Sequence, residues 1–375
     1  MYHRLLKQKI QQHFYKGFAI VLIGPRQIGK TTLVQDLLLE AGNRGLFLNC
    51  DELDVKRSLE LGTLAALKSI IGTYSLIVID EAQRVENIGI IAKLLVDNFK
   101  EKQFIITGSS ALEIADKIFE PLTGRQLQYQ MYPLSMQEMY TGKSVLEIDR
   151  NIGWHLVYGC YPNVVNHRSD AEMIIKNLAG DYLYKDVLAW KDIRKPDLLD
   201  KILHLLALQM CSEVSLNELA VQLKISVATV DNYIDVLEKA GVLLRLQSYS
   251  TNERKEVTKM RKVYFWDNGI RNAILGRFDD VTNRTDAGAL WENFLVAERL
   301  KNNSYHQSTA KAFFWRSKQQ QEIDFVEVTQ NSIAGYEFKL NVLAKGKPTK
   351  AFTNLYPHAT AEIIHNENYT QFLNL

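Results

Sequence analysis

The chain has 375 residues, 46% of them apolar and 23% charged, and a formal net charge of +2. Such a length exceeds one ordinary domain and predicts about two to four units, each able to bury a core. The near-balanced charge excludes any global argument for nucleic acid or a membrane surface, so a patch of either kind must be local.

The cysteines, Cys50, Cys160 and Cys211, are far apart and form no C-x-x-C pair, which suits a reducing compartment and argues against a disulfide framework or a zinc site. Arg4, Lys7, Lys9 and Lys16 near the start are not followed by an apolar run of signal-peptide length. No apolar stretch approaches the ~20 residues of a spanning helix. The expectation is a cytoplasmic chain without a membrane partner.

In chain order, Phe18–Ile23 is a short continuous apolar run, the pattern of a buried parallel strand, and it ends at Gly24. Gly24-Pro25-Arg26-Gln27-Ile28-Gly29-Lys30-Thr31 then fits G-x-x-x-x-G-K-[ST] without deviation. Glycines let the backbone curl so that successive N–H groups face phosphate oxygens, and the following helix offers its positive end. Lys30 is expected to neutralise the β- and γ-phosphates of ATP, Thr31 to offer its hydroxyl to Mg²⁺, and Thr32 to support the helix start. Thr31–Ala41 puts Leu33, Val34, Leu37 and Leu38 on one face before Gly42.

Gly45–Cys50 and Leu76–Ile79 are the next strand candidates, the second delivering Asp80 and Glu81. In this setting Asp80 belongs on the outer shell of the metal, and Glu81 is the candidate to polarise the attacking water. Ile88, Ile91, Leu94, Leu95 and Phe99 mark another helix, Phe104–Thr107 a fourth strand and Gln126–Met131 a fifth. Thr107, Ser109 and Ser110 either read the γ-phosphate or cap a turn. Arg125 is either a charge-stabilising arginine offered to a neighbouring copy in a homo-oligomer or an ordinary surface arginine. Alternation of this kind predicts a parallel sheet with helices on both faces.

After Pro133 the pattern turns helical to residue 195, as in a lid. Ser215–Leu223, Lys224-Ile225-Ser226 and Val227–Ala240 read as helix-turn-helix, with Leu219, Ala220, Val230, Ile234 and Leu237 as its small core. Leu243–Gln247 and Val263–Trp266 supply a wing, flanking a basic run from Arg254 to Lys262 that suits nonspecific contact with DNA. Asp231, Asp235 and Glu238 on the second helix oppose phosphate contact. Ala289–Asn302 is a further helix, carrying Glu292 and Glu298, and strand-like alternation follows to about residue 340. On the last of those strands Glu337 and Lys339 share a face.

The run Gly24–Leu33, with Asp80-Glu81-Ala82-Gln83-Arg84, Thr107-Gly108-Ser109-Ser110 and Pro133-Leu134-Ser135, resembles the AAA+ superfamily, in the additional-strand class of P-loop ATPases. Within it the chain resembles a prokaryotic family in which the ATPase core precedes a C-terminal domain of uncharacterised function with a restriction-endonuclease-like core. The resemblance implies an α/β fold: an AAA+ type P-loop parallel sheet (1–132), a helical lid (133–195), a winged helix (196–283) and an endonuclease-like domain (284–375). It also implies a Mg²⁺ site at Asp324 and Glu337, with Lys339 beside the scissile phosphate and either Glu298 or Glu292 from the helix. Two functions follow as expectations. One is an ATP-driven protein acting on DNA with a metal-dependent nuclease module. The other is a nucleotide-gated switch for protein partners, with the endonuclease-like part an inactive scaffold.

Overall fold

A computed structural model of the chain describes residues 2–108, 121–188, 195–250, 261–341 and 350–375, without the side chains of 181–188. The chain divides into two compact units, Met1–Tyr132 with Lys239–Gly241, and Pro133–Glu238 with Val242–Leu375.

The first unit runs α1 (Leu5–Gln11), β1 (Ala19–Ile23), α2 (Lys30–Ala41), β2 (Gly45–Asn49), α3 (Leu53–Glu60), α4 (Leu64–Ile71), β3 (Leu76–Asp80), α5 (Ile88–Asn98), β4 (Gln103–Gly108) and β5 (Gln126–Gln130). Among the described residues its sheet is wholly parallel, in the order β2-β3-β4-β1-β5. β1, β3 and β4 are buried at every position, which requires the unbroken apolar runs seen in the sequence; β2 and β5 are half-buried edges. β4 lies between β1 and β3, so the strand feeding the glycine-rich loop and the strand ending in Asp80 are one strand apart. Helices α3 and α4, which sequence periodicity did not single out, pack Leu59, Leu67 and Ile71 into the core.

The second unit opens with α6 (Met136–Tyr140), α7 (Val145–Tyr158), α8 (Pro162–Asn166) and α9 (Ala171–Leu188). It continues with α10 (Pro196–Leu208), β6 (Glu213–Val214), α11 (Leu216–Leu223), α12 (Val227–Lys239), β7 (Leu243–Ser248), β8 (Arg261–Phe265) and α13 (Asn268–Leu275). The long α14 (Ala287–Tyr305) leads to β9 (Lys311–Arg316), β10 (Glu322–Val328), β11 (Ile333–Phe338), α15 (Lys350–Leu355), β12 (Ala359–Ile364) and α16 (Tyr369–Leu373). Among the described residues the strands form one mixed sheet, β12-β11-β10-β9-β7-β8-β6. Gln247 and Ser248 of β7 pair in parallel with Phe313 and Phe314 of β9, so the sheet runs across the boundary expected at residues 283/284. α15, β12 and α16 extend the chain beyond the last elements expected. Among the described residues no helix is long and apolar enough to cross a membrane.

His155 illustrates how this unit satisfies its buried polar groups. It is enclosed on α7, with Nδ1 facing the Gly159 carbonyl at 3.2 Å and Nε2 facing the Tyr140 hydroxyl at 2.9 Å. A carbonyl only accepts, so Nδ1 carries the proton and Nε2 takes the hydroxyl's; the ring is neutral. Burial brings its pKa down to about 4 from an ordinary 6.5, with the Arg168 and Lys301 charges adding to the shift. Below pH 6.5 the unfolded chain therefore binds a proton that the folded chain refuses. The stability this histidine contributes is complete above pH 6.5 and is lost as pH falls toward 4, about 3 kcal/mol in all. Urea denaturation at pH 7.5 and pH 4.5 should show that loss, and His155→Gln should reduce the gap between the two pH values.

Candidate functional site

The loop between β1 and α2 is shaped by close approach. A Cβ on Gly24 would lie 2.3 Å from the Met131 carbonyl oxygen and 2.6 Å from Ile28 Cδ1, so only glycine lets the loop start against β5. Gly29 is the N-cap of α2 with φ +94°, a left-handed conformation that glycine adopts without strain. Lys30 is 5% exposed, and its ammonium donates to the Gly24 and Pro25 carbonyls, both at 2.8 Å. A buried ammonium bonded to loop carbonyls can exchange them for phosphate oxygens. One contact was not foreseen from sequence: Arg4 of the N-terminal segment, itself buried, donates to the Ile28 carbonyl at 3.3 Å and to the Tyr132 carbonyl at 2.7 Å. It ties the loop to the chain leaving β5.

The acidic end of β3 meets the loop directly. Thr31 Oγ1 donates to Asp80 Oδ2 at 2.8 Å, and the Thr107 hydroxyl on β4 donates to the other carboxylate oxygen. Thr107 Oγ1 also accepts the Glu81 backbone N–H at 3.2 Å. Fully enclosed, Thr107 thus fastens the two acids and is not turned toward a phosphate. Glu81 sits in the left-handed region at φ +52°, and its Oε2 accepts from Gln83 Nε2 at 2.6 Å. Gln83 thus holds the Glu81 carboxylate, a contact that the motif in the sequence did not reveal. Nearby Cys50 is no nucleophile: burial, reinforced by the Asp80 charge, pushes its thiol up to about 12. The other two cysteines are likewise free and buried.

Ser109 and Ser110 lie outside the described residues. Arg125 precedes β5 and pairs with Asp97 at 2.6 Å on a half-exposed surface. It sits at the end of the sheet where β1 and β5 begin, Ala19 N–H donating to its carbonyl, whereas the glycine-rich loop leaves the other end. The intervening five-residue strand spans about 16 Å, so Arg125 does not reach the phosphates of its own chain.

The C-terminal residues divide into two groups. Glu298 of α14 points inward as its helical face implies, but away from any metal chemistry: its Oε1 pairs with Lys301 at 2.7 Å and its Oε2 accepts the Met136 N–H at 2.7 Å, at the start of α6. Its place in a nuclease site is corrected accordingly. Glu292, one turn and a half earlier, does lie beside Asp324. Burial and the Asp324 charge push its carboxyl up to about 8. Lys262 of β8 reaches both acids, with Nζ 3.1 Å from Glu292 Oε1 and 3.8 Å from Asp324 Oδ1, and it also contacts Glu322. Tyr264, two residues on, donates to Glu292 at 2.8 Å. Asp324 accepts the Phe338 N–H at 2.8 Å, and Glu337 is taken by Lys339 at 2.8 Å. Among the described residues no three acidic, histidine or cysteine side chains are grouped to hold a metal ion.

Helices α11 and α12 bury Leu219, Ala220, Val230, Ile234 and Leu237 as their periodicity requires, and Ser226 accepts the Thr229 N–H at 3.1 Å. The acids Asp231, Asp235 and Glu238 gather on Arg245 of β7, leaving that face of α12 without a free cation among these four residues. Of the basic run, residues 254–260 lie outside the described residues, and Lys262, expected to face DNA, is 2% exposed. A cavity of about 910 Å³ in this unit is lined by Lys176, Asp200, Lys201, His204 and Lys224 among others, the last from the turn after α11, and by none of the candidate phosphate, metal or nuclease residues.

Three family matches lie along the chain. Residues 16–140 match an AAA domain, residues 150–281 a domain of unknown function (DUF8612) and residues 287–373 another (DUF4143). The chain is similar to an uncharacterized protein of Mycobacterium tuberculosis, 27% identical over 338 residues, covering 88% of this chain and 72% of the relative. It is equally similar to an uncharacterized protein of Methanocaldococcus jannaschii, 27% identical over 339 residues, covering 78% and 70%. A chain in a structure of Drosophila ORC bound to AT-rich DNA and Cdc6 aligns over 72% of this chain and 90% of its own, at 12% identity and a TM-score of 0.25, too loose a superposition to carry an argument.

Proposed function

We propose that this chain, which matches an AAA domain over residues 16–140, binds ATP with Mg²⁺ and hydrolyses it at the junction of β1, α2 and β3. One observation carries the reading: a buried lysine on loop carbonyls stands beside a threonine hydroxyl bonded to a strand-end aspartate at 2.8 Å. Backbone N–H groups of the loop and the first turn of α2 receive the phosphates, the helix end favouring their charge. Lys30 leaves the Gly24 and Pro25 carbonyls for the β- and γ-phosphate oxygens. Thr31 and Asp80 would hold Mg²⁺, which supplies charge neutralisation to the departing phosphate. Glu81, oriented by Gln83 and by its N–H bond to Thr107, orients a water and takes its proton.

Lys30→Ala should weaken ATP binding by about tenfold to hundredfold, the value of one or two charge-assisted hydrogen bonds. Titration with a fluorescent ATP analogue measures it. Unchanged affinity in a folded variant removes the nucleotide site from this loop.

For the second unit the nucleotide-gated switch is the reading better supported. The acids on α12 discourage phosphate contact, and the cluster at Asp324 already contains an ammonium. The helical lid, the winged helix and the endonuclease-like region are parts of this proposal, with a protein partner as the cargo of the switch. Association of copies through Arg125 and contact with DNA through residues 254–260 are the competing arrangements, visible as nucleotide-dependent oligomers or as DNA-stimulated turnover.

A further inference from the structure

The carboxylates of Glu292 on α14 and of Glu322 and Asp324 on β10 converge on one point in the second unit, and that point is filled. Lys262 enters from β8 and is 2% exposed, with Nζ 3.1 Å from Glu292, 3.8 Å from Asp324 and in contact with Glu322. Its backbone is fixed on both sides, opposite Glu213 of β6 and Leu246 of β7. The ammonium lies 5.6 Å from the Phe314 ring centre, a further attraction for a cation.

We infer that the Lys262 ammonium stands where an endonuclease-like site would hold its metal ion, so that the cluster takes up no divalent cation and the second unit does not cleave DNA.

Three arguments support this. The first is space: Mg²⁺ binds oxygen at about 2.0–2.1 Å with near-octahedral geometry, and a tethered amine at the centre of the same oxygens leaves no room for it. The second is charge. Glu292, Glu322 and Asp324 already face Lys262, and Arg316 lies beside Glu322 with Nε at 3.3 Å while its Nη1 is 3.2 Å from Glu213. Two cations among these acids repel an incoming divalent ion. The third is persistence. Lys262 is 2% exposed, its strand is paired on both sides, and its ammonium bonds Glu292 and touches Glu322, so the side chain is held in the cluster. The inference concerns a site apart from the nucleotide loop and stands or falls separately from the ATPase reading.

The test is Mn²⁺ binding to the nucleotide-free full chain, followed by electron paramagnetic resonance, in wild type, Asp324→Asn, Lys262→Ala and Lys262→Ala/Asp324→Asn. Wild type and Asp324→Asn should give the same isotherm. Lys262→Ala should gain one Mn²⁺ per chain, at least about tenfold tighter than any wild-type binding at that cluster, and the double variant should lose it. A Lys262→Ala chain that folds only when Mn²⁺ is added supports the inference equally. A wild-type Mn²⁺ that disappears in Asp324→Asn overturns it, whether or not Lys262→Ala folds. So does a folded Lys262→Ala chain that gains none, or Mg²⁺-dependent nicking of DNA abolished by Asp324→Asn.

Discussion

Glu81→Gln is expected to cut ATP turnover by about 10²–10⁴-fold while leaving nucleotide affinity near that of wild type. The substitution keeps the shape of the side chain and its capacity to accept from Gln83 Nε2, at 2.6 Å in the native chain. It leaves the Thr107 bond to the Glu81 backbone in place as well. What it removes is the base. Lys30, Thr31 and Asp80 keep their contacts, so the ground state should bind as before, and the loss should appear in kcat and not in KM. Steady-state phosphate release alongside analogue titration separates the two. Turnover within a few-fold of wild type would transfer the role of base away from Glu81.

The second large effect concerns folding. Lys301→Met should destabilise the second unit by about 3–5 kcal/mol, because it strands the Glu298 carboxylate in the interior. Lys301 and Glu298 are both nearly inaccessible, 2.7 Å apart, and the Glu298 Oε2 also caps α6 through the Met136 N–H. Burial opposes the Lys301 charge, yet the Glu298 carboxylate outweighs it and the ammonium pKa rises. Pairing Lys301→Met with Glu298→Gln should recover much of the loss. The glutamine can still accept from Met136, and no charge remains unpaired. Urea denaturation of the four chains in this cycle gives the coupling directly. A coupling near zero would mean that the pair is solvated in the native state.

A phosphate-binding motif is written in contiguous residues, which is why Gly24–Thr31 could be read from the sequence as a candidate. The central β1 and β3 were legible for a related reason: strands buried on both faces leave few polar positions to confuse the pattern, unlike the half-buried β5. A helix repeats its faces regularly, so Glu298 shares a side with the buried Trp291, Phe294 and Leu295. Its purpose was not legible, since the group it caps lies 162 residues away in sequence. Lys262 was misread by counting charges along a run. Alternation along Arg261-Lys262-Val263-Tyr264-Phe265 puts Lys262 on the same side as Tyr264, and that side meets Glu292. β12 escaped notice because Ala-Thr-Ala-Glu-Ile-Ile has a half-exposed pattern at the sheet edge, where packing places few demands on composition.

The guanidinium of Arg4 gives the nucleotide loop a dependence that its motif conceals. The stretch that matches an AAA domain begins at residue 16, twelve positions after the side chain that braces the Ile28 and Tyr132 carbonyls. A fragment trimmed to that stretch would keep every motif residue and still lose the brace on both carbonyls. The first unit therefore has its physical edge upstream of its recognisable one.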